Sequence, residues 1–449
     1  MKRTFLAVAL MTALISACKT TAPEANPVLG IEGGQVQGVE TEISGVYVYK
    51  GIPFAAPPVG DLRWKEPQPV IPWDGVKMAD TYGPGAYQSL HDSTNPWTSE
   101  FYWQDPEYSE DCLYLNVYTK APGKPEEKLP VAMWIHGGAY TGGWAYEPEF
   151  DGKVWGDKGV VLVTINYRLG IFGFMAHPEL SAESPHGVSG NYGILDQIAA
   201  LKWIHNNIAA FGGDPDNIMI FGQSAGAGSV KTLVSSPLTG NLIKKAVIQS
   251  GGGIGEPDAP SRSFNVKDLE QRSKEFFESK GYDSLEKLRA ASTEQIFADA
   301  AGFRCSPVID GYVSTETFDQ AAYAGRIKDI PYMIGYTSDD MGTPGDGVGR
   351  FCELRSSAGK PVFEYEFAHA LPDDEAGSHD MKGAFHSSEL WFVFKSLDRS
   401  DRPFVQADWD LAEKIISCWT DFAKTGNPGN GWAQYKSDAP FKMVFDTDE

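Results

Sequence analysis

The chain has 449 residues, of which 42% are hydrophobic and 12% aromatic, enough apolar material for a large buried core; a disordered or fibrous class is excluded. A formal net charge of −22 repels phosphate backbones, so nucleic acid is excluded as a partner.

At the N-terminus, Lys2 and Arg3 precede an apolar run from Thr4 to Ile15. That is the layout of a secretory signal, and the run is too short to span a bilayer comfortably. Ile15-Ser16-Ala17-Cys18 resembles a lipobox, in which the Cys18 thiol is acylated and becomes the new N-terminus. Residues 1–17 are therefore expected to be a lipoprotein-type signal and 18–29 a tether rich in Pro, Thr and Ala. The expectation is export, with membrane contact through this lipid alone, facing the periplasm or the cell exterior. The alternative is an ordinary cleaved signal with an incidental cysteine.

From residue 30 to 54, Gly-punctuated alternation predicts antiparallel strands, and "DCLYLNVYTK" (111–120) alternates as well. The stretch 86–108 is rich in aromatics: Trp97, Phe101, Tyr102 and Trp103 could rim a pocket, but packing beneath a loop is the preferred reading. From residue 130 the pattern changes. "PVAMWIH", "VVLVTINY", "NIMIFG", "KAVIQSG" and "IPYMIGY" are near-continuous apolar runs, as in parallel strands buried on both faces. Ile194, Ile198, Leu201, Ile204 and Ile208 recur at steps of three and four, one apolar helix face. "VFEYEF" (362–367) is expected to be the last strand. Residues 253–303, polar and helical in pattern, are read as a cap insertion. The fold class is α/β, a mostly parallel central sheet flanked by helices, with N-terminal antiparallel strands, in one domain over 30–449.

Besides Cys18 the chain holds Cys112, Cys305, Cys352 and Cys418. Their spacing fits no zinc site, and no metal is expected. In an oxidising compartment Cys305 with Cys352 is the candidate disulfide.

"NIMIFGQSAGAGSV" places Ser224 in a G-x-S-x-G between a strand and a helix start. In a nucleophile elbow of this kind the serine takes a strained backbone and its hydroxyl stands above the sheet. A phosphate-binding glycine turn is the alternative, disfavoured because no Lys follows at the P-loop position. A serine hydroxyl needs a base, a group that orients the base, and donors for the oxyanion. "MWIHGGAYTGG" (133–143) ends a strand in small residues. The N–H groups of Gly138 and Ala139, with that of Ala225, are the expected oxyanion hole. On an α/β-hydrolase scaffold the order is serine, acid, histidine, which leaves His369, His379 and His386 as bases. His386 follows the expected last strand and is preferred. The acid should end a strand, which points to Asp340 in "IPYMIGYTSDDMG", with Asp339 as the alternative; Asp310 and His205 are read as structural.

Taken together, these motifs resemble the type-B carboxylesterases, the esterase/lipase and cholinesterase family of the α/β-hydrolase superfamily. The likeness is carried by "YKGIPFAAPPVGDLRWKEPQPVIPW" (49–73), "EDCLYLNVY" (110–118), "FGGDPDNIMIFGQSAG" (211–226) and "GAFHSSELWFVF" (383–394). It implies a cofactor-free hydrolase of small-molecule carboxylic esters, with Ser224 as nucleophile, His386 as base and Gly138, Ala139 and Ala225 as oxyanion donors. The family's acid is usually a glutamate, and the matching residue here is Asp340, one methylene shorter. The family's signature cysteine, here Cys112, has no upstream partner, so its usual disulfide is expected to be absent. Only 46 residues separate Asp340 from His386, fewer than in most relatives, which implies a shallower, more open site. The rival readings are a non-catalytic adhesion module of the same family and a lipase or amidase of the same fold.

Overall fold

The computed structural model describes residues 26–89, 95–102, 105–257, 265–374 and 376–447. The signal, most of the tether, Cys18 and Trp103 lie outside the described residues.

Ten strands form one sheet. In spatial order they are Lys442–Phe445, Val362–Phe367, Tyr332–Thr337, Ile243–Gln249, Gly213–Gln223, Leu129–Ile135, Val161–Ile165, Tyr114–Thr119, Tyr47–Pro53 and Val39–Glu40. Neighbours from Lys442–Phe445 to Val161–Ile165 pair in parallel, and the last three strands join antiparallel. The apolar runs are explained by two cores, one on each face. Met133, Ile135, Val163, Ile220 and Ile248 pack with the helices Tyr192–Asn207 and Ala225–Ser235. Their alternates Trp134, Leu162, Phe221 and Val247 pack with Leu390–Val393 and Gln406–Thr425. A strand with water on neither face has no polar alternation to show.

Two expectations change. Val362–Phe367 is not the last strand, because Lys442–Phe445 adds to it in parallel. That edge strand has four residues and an exposed Lys442, too short and too mixed to give a period. The predicted apolar face of the helix Tyr192–Asn207 is buried, and Asp196, Gln197 and Trp203 are buried with it, leaving Lys202 and Asn206 exposed. Asp196 tolerates burial because Arg168 donates to both of its carboxylate oxygens, at 2.8 and 2.7 Å.

The predicted Cys305–Cys352 disulfide is also absent: Cys112, Cys305, Cys352 and Cys418 are all free and buried. The Cys305 thiol donates to Gly170 O at 3.2 Å, while Cys352 is fully buried on the helix Pro344–Ser357. Each is a small apolar side chain in a separate setting, and burial pushes both thiols up, away from the reactive thiolate.

Of the 253–303 region, the described residues 265–303 hold the helices Val266–Ser279, Leu285–Ala290 and Thr293–Asp299. Asn265, Ser284 and Ser292 cap their N-termini. No helix among the described residues is long and apolar enough to cross a membrane.

Candidate active site

The strand Gly213–Gln223 and the helix Ala225–Ser235 are separated by Ser224 alone, with φ 55° and ψ −120°. A non-glycine residue there costs on the order of 1–3 kcal/mol, so the surroundings must hold it. They do so through the backbone, with Ser224 N donating to Gln249 O at 2.9 Å and Gly228 N donating to Ser224 O at 3.0 Å. The turn also requires a bare Cα at residue 226, since a Cβ on Gly226 would lie 2.0 Å from Ile135 O.

The neighbouring strand Leu129–Ile135 runs into a turn in which Gly138, Ala139 and Tyr140 have φ of 92°, 54° and 63°. Three successive residues with positive φ tighten the backbone, and the turn closes on itself through Thr141 N to Gly138 O at 2.9 Å and Gly142 N to Gly138 O at 3.0 Å. A side chain at Gly138 is excluded because its Cβ would lie 2.1 Å from Gly142 O. The turn abuts the serine: a Cβ placed on Gly137 would stand 3.2 Å from Ser224 Cβ. His136 supports it from below. Burial lowers its imidazole to about 4, so the ring is neutral; it stacks on Tyr167 and its Nδ1 lies 2.9 Å from Gly137 O. Gln88 clamps the far end by bonding both Gly143 O and Gly143 N.

Of the three candidate bases, His386 is the one brought to this place. His369 contacts Asp408 at 2.6 Å, and His379 contacts Asp373 at 2.7 Å and Asp401 at 3.1 Å, so both are engaged with carboxylates of their own. His386 is 6% exposed, and its Nδ1 lies 2.5 Å from Asp340 Oδ1. Burial pushes the Asp340 carboxyl up, but the His386 hydrogen bond and charge outweigh it and leave the group below its ordinary value. Asp339 does something different. Its N–H donates to Ala384 O at 3.1 Å and its Oδ2 accepts from Ala384 N at 2.9 Å, stapling the histidine segment to the end of Tyr332–Thr337. The adjacent aspartates thus divide the work: one touches the ring, the other holds the loop that carries it. Asp310 is structural, its Oδ1 accepting the N–H groups of Tyr312, Val313 and Ser314. His205, also read as structural, lies with Nδ1 3.1 Å from Pro215 O.

A carboxylate at Nδ1 fixes the proton there, so Nε2 of the neutral ring carries the lone pair. That lone pair faces the side-chain amide of Gln223 at 3.1 Å. The residue beside Ser224 therefore caps His386 Nε2, a contact across 163 residues that no local pattern displays. Replacing the donor with an acceptor should reverse the preference. Gln223→Glu sets a carboxylate against Nε2, favours the imidazolium, and is expected to move the acidic limb of the kcat/KM profile up by about 1–2 pH units. An unmoved limb would contradict the contact.

Two further groups lie by the His386–Asp340 pair. Trp97, half-buried on the helix Pro96–Phe101, meets the His386 ring edge-on at 6.0 Å and stacks on Phe101 at 5.9 Å. Of the aromatic stretch, Trp97 reaches the site, whereas Phe101 is packing, 2% exposed. Glu389, 1% exposed, is pushed from 4.5 to about 8 by burial and then by the charge of Asp340. Because its folded pKa is raised, its contribution to stability is full below about 4.5 and is lost as pH climbs toward 8. Glu389→Gln is expected to flatten the fall of Tm between pH 5 and pH 8, as read by thermal melts; parallel curves for both proteins would contradict it.

Among the described residues no group of His, Cys, Asp or Glu is arranged to hold a metal ion. A tight glycine turn beside a strained serine and a carboxylate-held imidazole suit acyl transfer.

Comparison with known proteins agrees with that chemistry. The model of the Carboxylesterase family matches residues 25–346 and 345–449. The para-nitrobenzyl esterase of Bacillus subtilis (strain 168) is 34% identical over 92% of this chain and 94% of its own length. The fumonisin B1 esterase of Sphingopyxis macrogoltabida is 39% identical over 73% of this chain and 58% of its own length. Among solved structures, a PNB esterase superposes with a TM-score of 0.81 at 30% identity, covering 94% of this chain and 96% of its own. The Geobacillus stearothermophilus carboxylesterase at pH 6.8 follows the same course, with a TM-score of 0.78 at 31% identity over 94% and 96%.

Proposed function

Since the chain belongs to the carboxylesterase family, has its α/β-hydrolase fold and is a carboxylic ester hydrolase, we propose that it works through an acyl-enzyme on Ser224, with His386 and Asp340 completing the triad. His386 Nε2 exchanges its Gln223 contact for the Ser224 hydroxyl and takes its proton as Oγ attacks the ester carbonyl. The developing oxyanion sits on the N–H groups of Gly138, Ala139 and Ala225, the last at the N-terminus of an 11-residue helix. Collapse expels the alcohol, protonated by His386. Water then attacks the acyl group with the same ring as base, and Asp340 holds the tautomer and balances the imidazolium charge throughout.

The observation that carries this reading is the His386 imidazole, tied at Nδ1 to Asp340 and reaching with Nε2 to the residue adjoining Ser224. It disfavours the adhesion-module reading, which needs no such arrangement. Relatives include proteins named for para-nitrobenzyl and fumonisin B1 esters. The Trp97 ring beside the base suits esters with an apolar or aromatic group next to the scissile bond, and the short Asp340–His386 spacing suits an open site that accepts bulky ones.

A shared acyl-enzyme has a kinetic signature. Two esters of one acid with different alcohols, hydrolysed in dilute methanol, should give the same ratio of methyl ester to free acid. A ratio that depends on the leaving alcohol would exclude the common intermediate.

A further inference from the structure

Among the described residues seven large apolar side chains are exposed. Val28, Ile71, Val76 and Met78 are four of them, at 45, 62, 44 and 52%. Register brings three of these to one face of the small sheet formed by Val28–Ile31, Gly34–Gln37 and Val76–Met78. Val28 lies opposite Gln37, and Gln37 opposite Met78; Gly30 lies opposite Gln35, and Gln35 opposite Val76. Residues opposite one another in a ladder share a face, and faces alternate along each strand. The outer face therefore reads Val28, Gln37, Met78 in one row and Gly30, Gln35, Val76 in the next, with no charge. The inner face is closed by Leu29 and Val36, at 4 and 0% exposure. Ile71 leads into Trp73, half-buried against this sheet with its indole N–H donated to Gln35 O at 3.0 Å.

Single exposed apolar side chains are ordinary, but three on one uncharged stripe of a chain of net charge −22 suit an occupant. The position of the stripe supplies one. Val28 begins the first strand, ten positions after Cys18, a reach of about 35 Å at full extension.

We propose that this face rests on the headgroup layer of the bilayer that holds an acylated Cys18. The lipid supplies the affinity and the short tether keeps the face at high effective concentration, so a stripe too weak to bind membrane alone suffices to fix orientation. With no cationic cluster in the stripe, the contact is apolar and insensitive to salt. It does not depend on the hydrolytic mechanism.

The test uses the full chain, exported by a host that processes lipoproteins, with Cys18 acylation confirmed by mass and the protein placed in phosphatidylethanolamine/phosphatidylglycerol vesicles. The four cysteines of the folded domain are buried, so a new surface cysteine can be labelled selectively with an environment-sensitive fluorophore. One label goes at Met78→Cys, with Val76→Cys as a second probe should the first misfold. The control is Asp438→Cys, exposed near the Lys442–Phe445 edge, with the ten strands spanning roughly 43 Å at about 4.8 Å spacing. Ester hydrolysis serves as the fold check. Lipids brominated on the acyl chain should quench the label at residue 78 or 76 several-fold more than at 438, unchanged in 0.5 M salt. Equal quenching at both edges, no acylation of Cys18, or crosslinking between two copies through residue 78 in place of quenching would overturn the proposal.

Discussion

Ser224→Ala is expected to lower kcat on a p-nitrophenyl ester by about 10⁶-fold, since removing one member of such a unit costs nearly as much as removing all of it. The fold should survive. The contacts that hold the strained turn come from the Ser224 backbone, Ser224 N to Gln249 O and Gly228 N to Ser224 O, and alanine keeps them. Alanine pays the same backbone cost at φ 55° as serine. Thermal melts of the variant should therefore overlay the parent within a few degrees while turnover falls to the level of the oxyanion turn alone. A variant that kept a tenth of the parent activity would remove Ser224 from the mechanism.

Asp340→Asn is expected to cost about 10⁴-fold in kcat, the penalty for an imidazole held in the wrong tautomer. Asp340 Oδ1 accepts at 2.5 Å from His386 Nδ1 and at 2.7 Å from Met341 N. An asparagine oxygen can still accept one of these, so the turn survives, but the charge that stabilises the imidazolium is lost. The neighbour provides the control. Asp339→Ala loses the bond from Ala384 N to Oδ2 and keeps only the backbone bond of the staple, so it should lower Tm together with activity, and by far less than 10⁴-fold in kcat. If Asp339 substitutions gave the larger catalytic loss with no change in Tm, the two roles would be exchanged.

What was legible in the sequence was what is local. The elbow around Ser224, the glycine turn at 137–139 and the continuous apolar strands are written within a few residues each, because close backbone approach and two-sided burial constrain residue type directly. His386 and Asp340 were legible as positions after strands, and the structure adds the 2.5 Å contact between them. Gln223 was not legible: nothing in a glutamine between Gly222 and Ser224 signals that it faces a ring 163 residues away. Asp340 was preferred as the acid, but the role of Asp339 as the staple to Ala384 was equally invisible, since nothing local shows where a carboxylate in a turn points. The Cys305–Cys352 pairing failed because cysteine spacing carries no information on which elements bury the thiols. The strand Lys442–Phe445 was missed because it takes its identity from the edge it joins, Val362–Phe367, more than from its own four residues.

The central claim is that Ser224 is activated by His386. Its most direct test is labelling with a fluorophosphonate, followed by intact mass and peptide mapping, in the parent and in Ser224→Ala and His386→Ala. The account predicts one adduct per chain on the peptide that contains Ser224, none in Ser224→Ala, and labelling slowed at least a hundredfold in His386→Ala. An adduct on another residue with hydrolysis abolished, or undiminished labelling of Ser224 without His386, would contradict it.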